Sequence, residues 1–376
     1  MNHIVIVGGG FAGVWSAASA ARVRGDADIR ITLVSPNEDL VLRPRLYEAE
    51  PERAVVPLKR ILEPVGVEHV RATVTEIDTA AHRVVTGDGD VIGYDRLVLA
   101  TGSRLIRPQM PGAERLFDID TLDGALALKD HLRGRTDFTA VVVGAGFTGL
   151  EIATELAGRG RVILLDLNTV VGPELGAGPR PAIEAALDRL GVERRLGTTV
   201  AAVEDGTARL ADGTVIETDT VIWTAGMKAS PLTAQIEGAR DRLGRLEVDP
   251  QLRVSGDVFA AGDTAAARFD ADHLTVQSCQ HAVPLGKTAG HNAAADLLGL
   301  PLIDFAPGPY VTDIDLGGAG AVFTRGWDRQ VESTGVDGKL VKQWIMDKIH
   351  PPVDDAEEIL NAADYIYVEI PGAHEL

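Results

Sequence analysis

The chain has 376 residues, more than one ordinary domain holds, so two or three domains are expected. Its 36 Lys and Arg against 55 Asp and Glu leave a formal charge of −19, which disfavours nucleic acid, anionic membrane surfaces and acidic carrier proteins as partners. A single cysteine excludes an intrachain disulfide, a four-cysteine zinc site and an iron–sulfur cluster.

The first segment, HIVIVGGGFAGVWSAASAARVR, reads as a short apolar strand (Ile4 to Val7) stopped by glycines and followed by an Ala-rich helix. Gly8, Gly10 and Gly13 stand in G-x-G-x-x-G spacing at that junction, with Phe11 and Ala12 between them. In such a turn the first glycine permits the tight bend and the second lets a pyrophosphate approach the backbone. The third brings the helix against the strand, so that phosphates meet the positive helix N-terminus. The next strand, IRITLVS, ends at Ser35, where an acid usually meets the adenosine ribose; a hydroxyl there still donates or accepts a hydrogen bond. HVRATVTEID, HRVVTGDG and DVIGYDRLVLATG then alternate as a β-meander. The Pro-rich stretch RPQMPG (107–112) marks a crossing to a second unit.

The same strand–glycine–helix unit returns in TAVVVGAGFTGLEIATELAGRG, which carries Gly144, Gly146 and Gly149 in the same spacing. One such motif occurs in many tight turns; two copies, each inside strand–turn–helix–strand, point to two dinucleotide sites. Here the following strand, RVILLD, does end on an acid, Asp166. A carboxylate accepts from a ribose 2′-hydroxyl and repels a 2′-phosphate, and no Arg follows in LNTVV, so NADH is favoured over NADPH. Further along, GRLEVDPQLRVSGD (244–257) reads as a β-rich return to the first unit, and residues from about 301 form a smaller third one. That unit holds strands YVTDIDLG and AVFTRG and a helical stretch LVKQWIMDKI.

Two dinucleotide folds in one chain resemble the two-dinucleotide flavoproteins, the pyridine nucleotide–disulfide oxidoreductase superfamily, in which FAD and NAD(P)H occupy separate Rossmann domains. YDRLVLATGS (94–103) looks like the strand ending in A-T-G beside FAD, and DTVIWTAG (219–226), ending at Gly226, looks like its counterpart beside NADH. GDVFAAGD (256–263) resembles the second FAD motif, whose terminal acid, here Asp263 after Gly262, binds the ribityl chain. Within the superfamily the sequence is most similar to type II NADH dehydrogenases. LVLRPRLYEAE (40–50) looks like their segment near the flavin, with Arg43, Pro44, Leu46 and Tyr47 in place.

The resemblance implies an α/β fold of two Rossmann-like domains, for FAD and NADH, with a β-meander and a small C-terminal α+β domain. The FAD domain would span 1–108 and 250–300, the NADH domain 109–249, and an interface domain 301–376. FAD is expected on Gly8, Gly10, Phe11, Ala12, Gly13, Ser35, Arg43, Pro44, Thr101, Gly102, Gly262 and Asp263; NADH on Gly144, Gly146, Gly149, Asp166 and Gly226. Glu151 falls where the family has a glutamate at the nicotinamide side of the flavin. Without that resemblance, Glu151 and Glu155 would read as like charges on a solvated helix face. The segment VQSCQHAVPLG (276–286) aligns with a family stretch A-Q-x-A-x-Q at the quinone site. Gln277 then matches the first Gln, Cys279 an alanine, and His281 the final Gln, an imidazole in place of an amide. Helical spacing would put Gln277, Gln280 and His281 on one face, provided the helix starts before Pro284. Cys279 is expected to pack, because a disulfide relay needs two thiols.

The expected activity passes hydride from NADH to FAD and two electrons onward to a quinone-like acceptor, with Glu151, Gln277 and His281 at the reacting centre. Two alternatives stay open: a reductase for a protein electron carrier, and a redox-sensing binding protein like apoptosis-inducing factor. The paired His, Cys and carboxylate spacing of a metal site is missing. Neither a secretory leader nor a run of about 18 apolar residues occurs, so a cytoplasmic location is expected. Basic amphipathic helices are absent from the acidic tail, which implies at most transient membrane contact. Third domains of this superfamily often pair subunits, so a homodimer is possible.

Overall fold

Four fully buried residues, Ile4–Val7, give the first strand, β1 (Asn2–Val7), the two-faced apolar run of a strand inside a parallel sheet. The computed structural model describes residues 1–376. Helix α1 (Phe11–Arg24) follows, then β2 (Ile29–Ser35), parallel to β1. Strand β3 (Glu68–Arg71) extends the sheet beyond β2. An antiparallel meander comes next: β4 (Val74–Asp78), β5 (Arg83–Thr86) and β6 (Val91–Gly93). The expected strand HVRATVTEID therefore breaks in two. Ala72 donates its N–H to the Ser35 carbonyl at the end of β2, and only from Val74 does the chain join the meander. Strand β7 (Arg96–Leu99) returns to the far side of β1.

The second unit repeats this plan. Strand β8 (Thr139–Val143), helix α2 (Phe147–Leu156) and β9 (Arg161–Asp166) form its β–α–β core. Helix α3 (Arg180–Leu190) leads to β10 (Glu193–Leu196), and a second meander runs through β11 (Val200–Glu204), β12 (Thr207–Leu210) and β13 (Val215–Glu217). Strand β14 (Thr220–Trp223) then lies beside β8, giving the sheet order β10-β9-β8-β14.

The chain next returns to the first sheet with β15 (Arg253–Ser255) and β16 (Val258–Ala260), making the order β15-β16-β7-β1-β2-β3. Helix α4 (Cys279–Leu298) packs along α1. The third unit is an antiparallel sheet, β17 (Val311–Asp315), β18 (Ala321–Arg325) and β19 (Gln330–Thr334), covered by helix α5 (Gly335–Lys348). Both β19 and the early start of α5 go beyond the elements legible in the sequence. No helix is long and apolar enough to cross a membrane.

Small residues decide the α1–α4 contact. Residues Phe11 to Ala21 of α1 are all buried, as expected of a helix that is apolar all round. A Cβ on Gly286 would overlap the Ala12 backbone, and one on Gly290 would overlap that of Ser16, so the two helices touch backbone to backbone. Gly290 lies on this contact away from either glycine loop. Gly290→Val is expected to cost about 2 kcal/mol or more by overpacking, read as a lower urea midpoint; an unchanged midpoint would contradict the contact.

Candidate active site

The first glycine loop has the backbone its sequence requires. Gly8 sits at φ +117°, where a Cβ would overlap the Ala100 carbonyl, and a Cβ on Gly13 would overlap Gly8 itself. Above Gly10 nothing lies within 4 Å of a built Cβ, and no side chain caps α1, so its first N–H groups face open space. Phe11 and Ala12 are buried in the first turn of α1. Ser35 is buried under the loop against Gly9, with a weak contact to Asn37 N at 3.4 Å.

Across this loop the structure brings two of the remaining predicted FAD residues, Arg43 and Asp263, into one network with Ser103. The Ser103 hydroxyl donates to Asp263 Oδ2 at 2.6 Å, and Arg43 lies 3.3 Å from Ser103 Oγ and 3.8 Å from Asp263. Arg43 also pairs with Asp120. Pro44 lies in the same turn as Arg43, and Gly102 and Gly262 both take φ +68°. Gln277 donates to the Asp263 carbonyl at 3.3 Å. The Thr101 hydroxyl is buried without a partner. An open glycine cradle, an orphaned hydroxyl and a carboxylate held by a serine fit FAD, which Gly10 and Asp263 would help to hold.

At the second loop Gly144 repeats the φ of Gly8, at +111°, and a Cβ on Gly149 would overlap Gly144. Asp166 Oδ2 accepts from Ala145 N at 2.7 Å, and its other oxygen accepts from Asn168 N at 2.7 Å, so the acid is fixed at the loop. Gly226, at φ +87°, accepts from Ile106 N at 2.7 Å. Gly146 differs from Gly10: the carboxylate of Glu174 lies where its Cβ would be.

Glu151 does not lie on a solvated face. It is 7% exposed on α2, and Lys342 of α5, 4% exposed, meets its Oε1 at 2.5 Å. Lys342 also pairs with Asp313 at 3.2 Å, and Asp315 N donates to Glu151 Oε1 at 3.3 Å. Tyr47 donates to Asp315 at 3.0 Å, and Lys339 pairs with the same acid at 2.8 Å. Burial pushes the Glu151 carboxyl up to about 7, with Asp313 adding to the shift against the pull of Lys342. For Lys342 burial works downward, but Asp313 and Glu151 outweigh it and hold the ammonium charged. Two carboxylates share one buried ammonium. Glu155, one turn on, is also raised by burial and by Asp315.

The sequence did not single out Lys342, Asp313 or Ser103. Asp313 and Asp315 are two apart in β17 and so share a face, which was the available signal. Lys342 stood in a stretch read only as helical.

The shared face expected of Gln277, Gln280 and His281 does not form. Ser278 caps α4, accepting from His281 N, so Gln277 precedes the helix and makes its contact from the loop. His281 is buried, with Nδ1 accepting from Val276 N at 2.9 Å and its ring beside Phe269 and Tyr310. Burial pulls its pKa down to about 4, so near neutrality it is an uncharged imidazole, able to donate a hydrogen bond from Nε2 but holding no extra proton to give. Cys279 packs at the start of α4, and burial pushes its thiol up to about 12.

The family model of the pyridine nucleotide-disulphide oxidoreductases matches residues 2–286. An NADH dehydrogenase-like protein of Mycobacterium tuberculosis is 46% identical over 393 residues, covering 96% of this chain and 98% of its own length. A type II NADH:quinone oxidoreductase of the same organism is 32% identical over 320 residues, 70% of this chain and 67% of the relative. Among solved structures, the sulfide:quinone oxidoreductase of Aquifex aeolicus superposes with a TM-score of 0.75 at 18% identity, covering 93% of this chain and 92% of that one.

Cys279 is partly buried, with its thiol pushed up to about 12. Cys279→Ala is expected to retain FAD and to keep NADH oxidation within about twofold of wild type. A collapse of turnover with the flavin still bound would show that the thiol takes part.

Proposed function

The chain belongs to the pyridine nucleotide-disulphide oxidoreductase family, and we propose that it oxidises NADH and passes the two electrons to a quinone-like acceptor. FAD, when bound, supplies the hydride acceptor and the onward electron donor. Gly144, Gly146 and Gly149 seat the nicotinamide dinucleotide at the N-terminus of α2, and Asp166 takes the ribose hydroxyls, which favours NADH. Arg43, Ser103 and Asp263 orient the polyol chain of the flavin. The acceptor meets Gln277 and, through Nε2, His281.

One observation supports an acceptor reduced directly, without a thiol relay. The only cysteine packs partly buried with its thiol pushed up to about 12, so an internal dithiol exchange has no second partner in the chain. A quinone suits the remaining chemistry. NADH, one proton and the quinone give NAD⁺ and the quinol, so each turnover draws one proton from the medium. Our candidate to hold that proton is Glu151, whose carboxyl burial pushes up to about 7 and which Lys342 meets at 2.5 Å.

An acceptor that partitions into lipid implies at most transient contact with a membrane. Val336 and Leu340, one turn apart on α5, are exposed in the third unit, and this face is our candidate for such contact or for pairing two copies. Flotation with vesicles, and sedimentation without them, would each leave the protein unbound and monomeric if this surface has neither role.

Anaerobic NADH is expected to bleach the flavin, and a soluble quinone to restore it rapidly. Reduced flavin that ignores quinone would overturn the acceptor. Glu151→Gln is expected to leave bleaching by NADH within a few-fold of wild type while slowing quinone-dependent turnover by about 100-fold. In wild type the proton on Glu151 is present below about pH 7 and lost above it, so reoxidation should slow as pH rises through that value; the glutamine variant should lack the inflection.

A further inference from the structure

The two glycine loops differ in one respect that their motifs do not predict. Gly10 faces open space, whereas Gly146 faces the carboxylate of Glu174. Glu174 belongs to a short turn, Pro173–Leu175, bracketed by Gly172 at φ +53° and Gly176 at φ +75°. Gly172 N donates to the Ala145 carbonyl at 2.9 Å, which ties this turn to the second glycine loop. On its other side stands Arg329, from the hairpin between β18 and β19 of the third unit. Its Nη2 donates to the Glu174 carbonyl at 2.9 Å, and its guanidinium lies 4.7 Å from the Tyr310 ring centre.

Arg329 is an unusual arginine. It is 9% exposed, no carboxylate lies within ion-pairing distance of it, and Nη1 is buried without any hydrogen-bond partner. A buried guanidinium without a counter-charge is costly, and its natural complement is an anion with more than one oxygen. One residue, Glu174, separates it from the glycine loop, and that residue already puts an anionic group at the helix N-terminus.

We propose that Arg329 is a phosphate-binding residue of the NADH site, supplied by the third unit, and that the Glu174 carboxylate holds the place the dinucleotide's pyrophosphate takes. The inference rests on reading the second glycine loop as the nucleotide site. Binding swings the Glu174 side chain off Gly146 and lets the diphosphate accept from the α2 N-terminus on one side and from Arg329 on the other. Glu174 competes with the incoming dinucleotide, whereas Arg329 attracts it, so their removal has opposite effects.

The test is equilibrium titration with ADP-ribose, which carries the diphosphate without the nicotinamide, so that flavin reduction plays no part in the readout. Flavin absorbance and a thermal melt check that each variant is folded and loaded. Arg329→Gln is expected to weaken ADP-ribose about tenfold or more, with Arg329→Lys in between, and Glu174→Gln to tighten it about threefold. Affinity for Arg329→Gln within twofold of wild type, or no gain for Glu174→Gln, overturns the assignment. If Arg329→Gln fails to fold, Glu174→Gln decides alone, since it leaves the carbonyl that Arg329 holds in place. Wild-type protein that ignores ADP-ribose overturns the nucleotide site itself, and this inference with it.

Discussion

Two carboxylates buried against one ammonium form the junction on which the rest of the molecule depends. Glu151 comes from the second unit, Lys342 and Asp313 from the third, and Tyr47, which reaches the adjoining Asp315, from the segment after β2. Burying such charges is expensive, and the arrangement holds only while each is met by a partner. Lys342 meets both acids, while Asp315 N satisfies Glu151 and Lys339 satisfies Asp315. Removing Lys342 alone would leave two unmatched carboxylates, a change that typically costs about 3–5 kcal/mol. Burial of this same cluster, with Asp313 adding to it against the pull of Lys342, pushes the Glu151 carboxyl up to about 7. Structural cohesion and proton chemistry thus have one source.

Around this junction the chain uses one device twice with different outcomes. The loops at Gly8 and Gly144 have nearly the same backbone, each closed by a glycine whose Cβ would strike the first. What surrounds them separates their tasks. The first is enclosed by α4, packed on α1 at glycine-to-backbone distance, and by the Arg43–Ser103–Asp263 network, as suits a resident cofactor. The second is flanked by a turn of the chain anchored to the third unit, as suits a substrate that enters and leaves. The chain's single thiol, Cys279, packs at the start of α4, and burial pushes it up to about 12, so the chain holds no pair of its own thiols for an internal disulfide relay.

The repeated strand–glycine–helix pattern was legible because its constraints are local: a glycine at positive φ, an apolar strand and a small-residue helix follow one another within a few positions. Asp166 was legible for the same reason, as a strand-end acid at fixed spacing. Glu151 reached notice through family resemblance, but its neighbours did not, because Lys342 lies 191 residues away and only the tertiary fold brings it near. The helical phase of Gln277 and His281 failed at a cap: Ser278 caps α4, which begins at Cys279, so Gln277 lies outside the helix and has no phase in it. His281 is buried beside Phe269 and Tyr310, and that burial lowers its pKa to about 4, which the sequence alone does not show. Burial of that kind depends on residues distant in sequence.

The central claim is that a buried carboxyl group at the meeting of the three units holds a proton near neutrality and serves the acceptor half of the reaction. Infrared difference spectra across a pH titration of the FAD-loaded protein read it directly. A protonated-carboxyl band that disappears near pH 7 in wild type, and is missing from Glu151→Gln, is the predicted result. A wild-type protein with no carboxyl group titrating near that pH would contradict it.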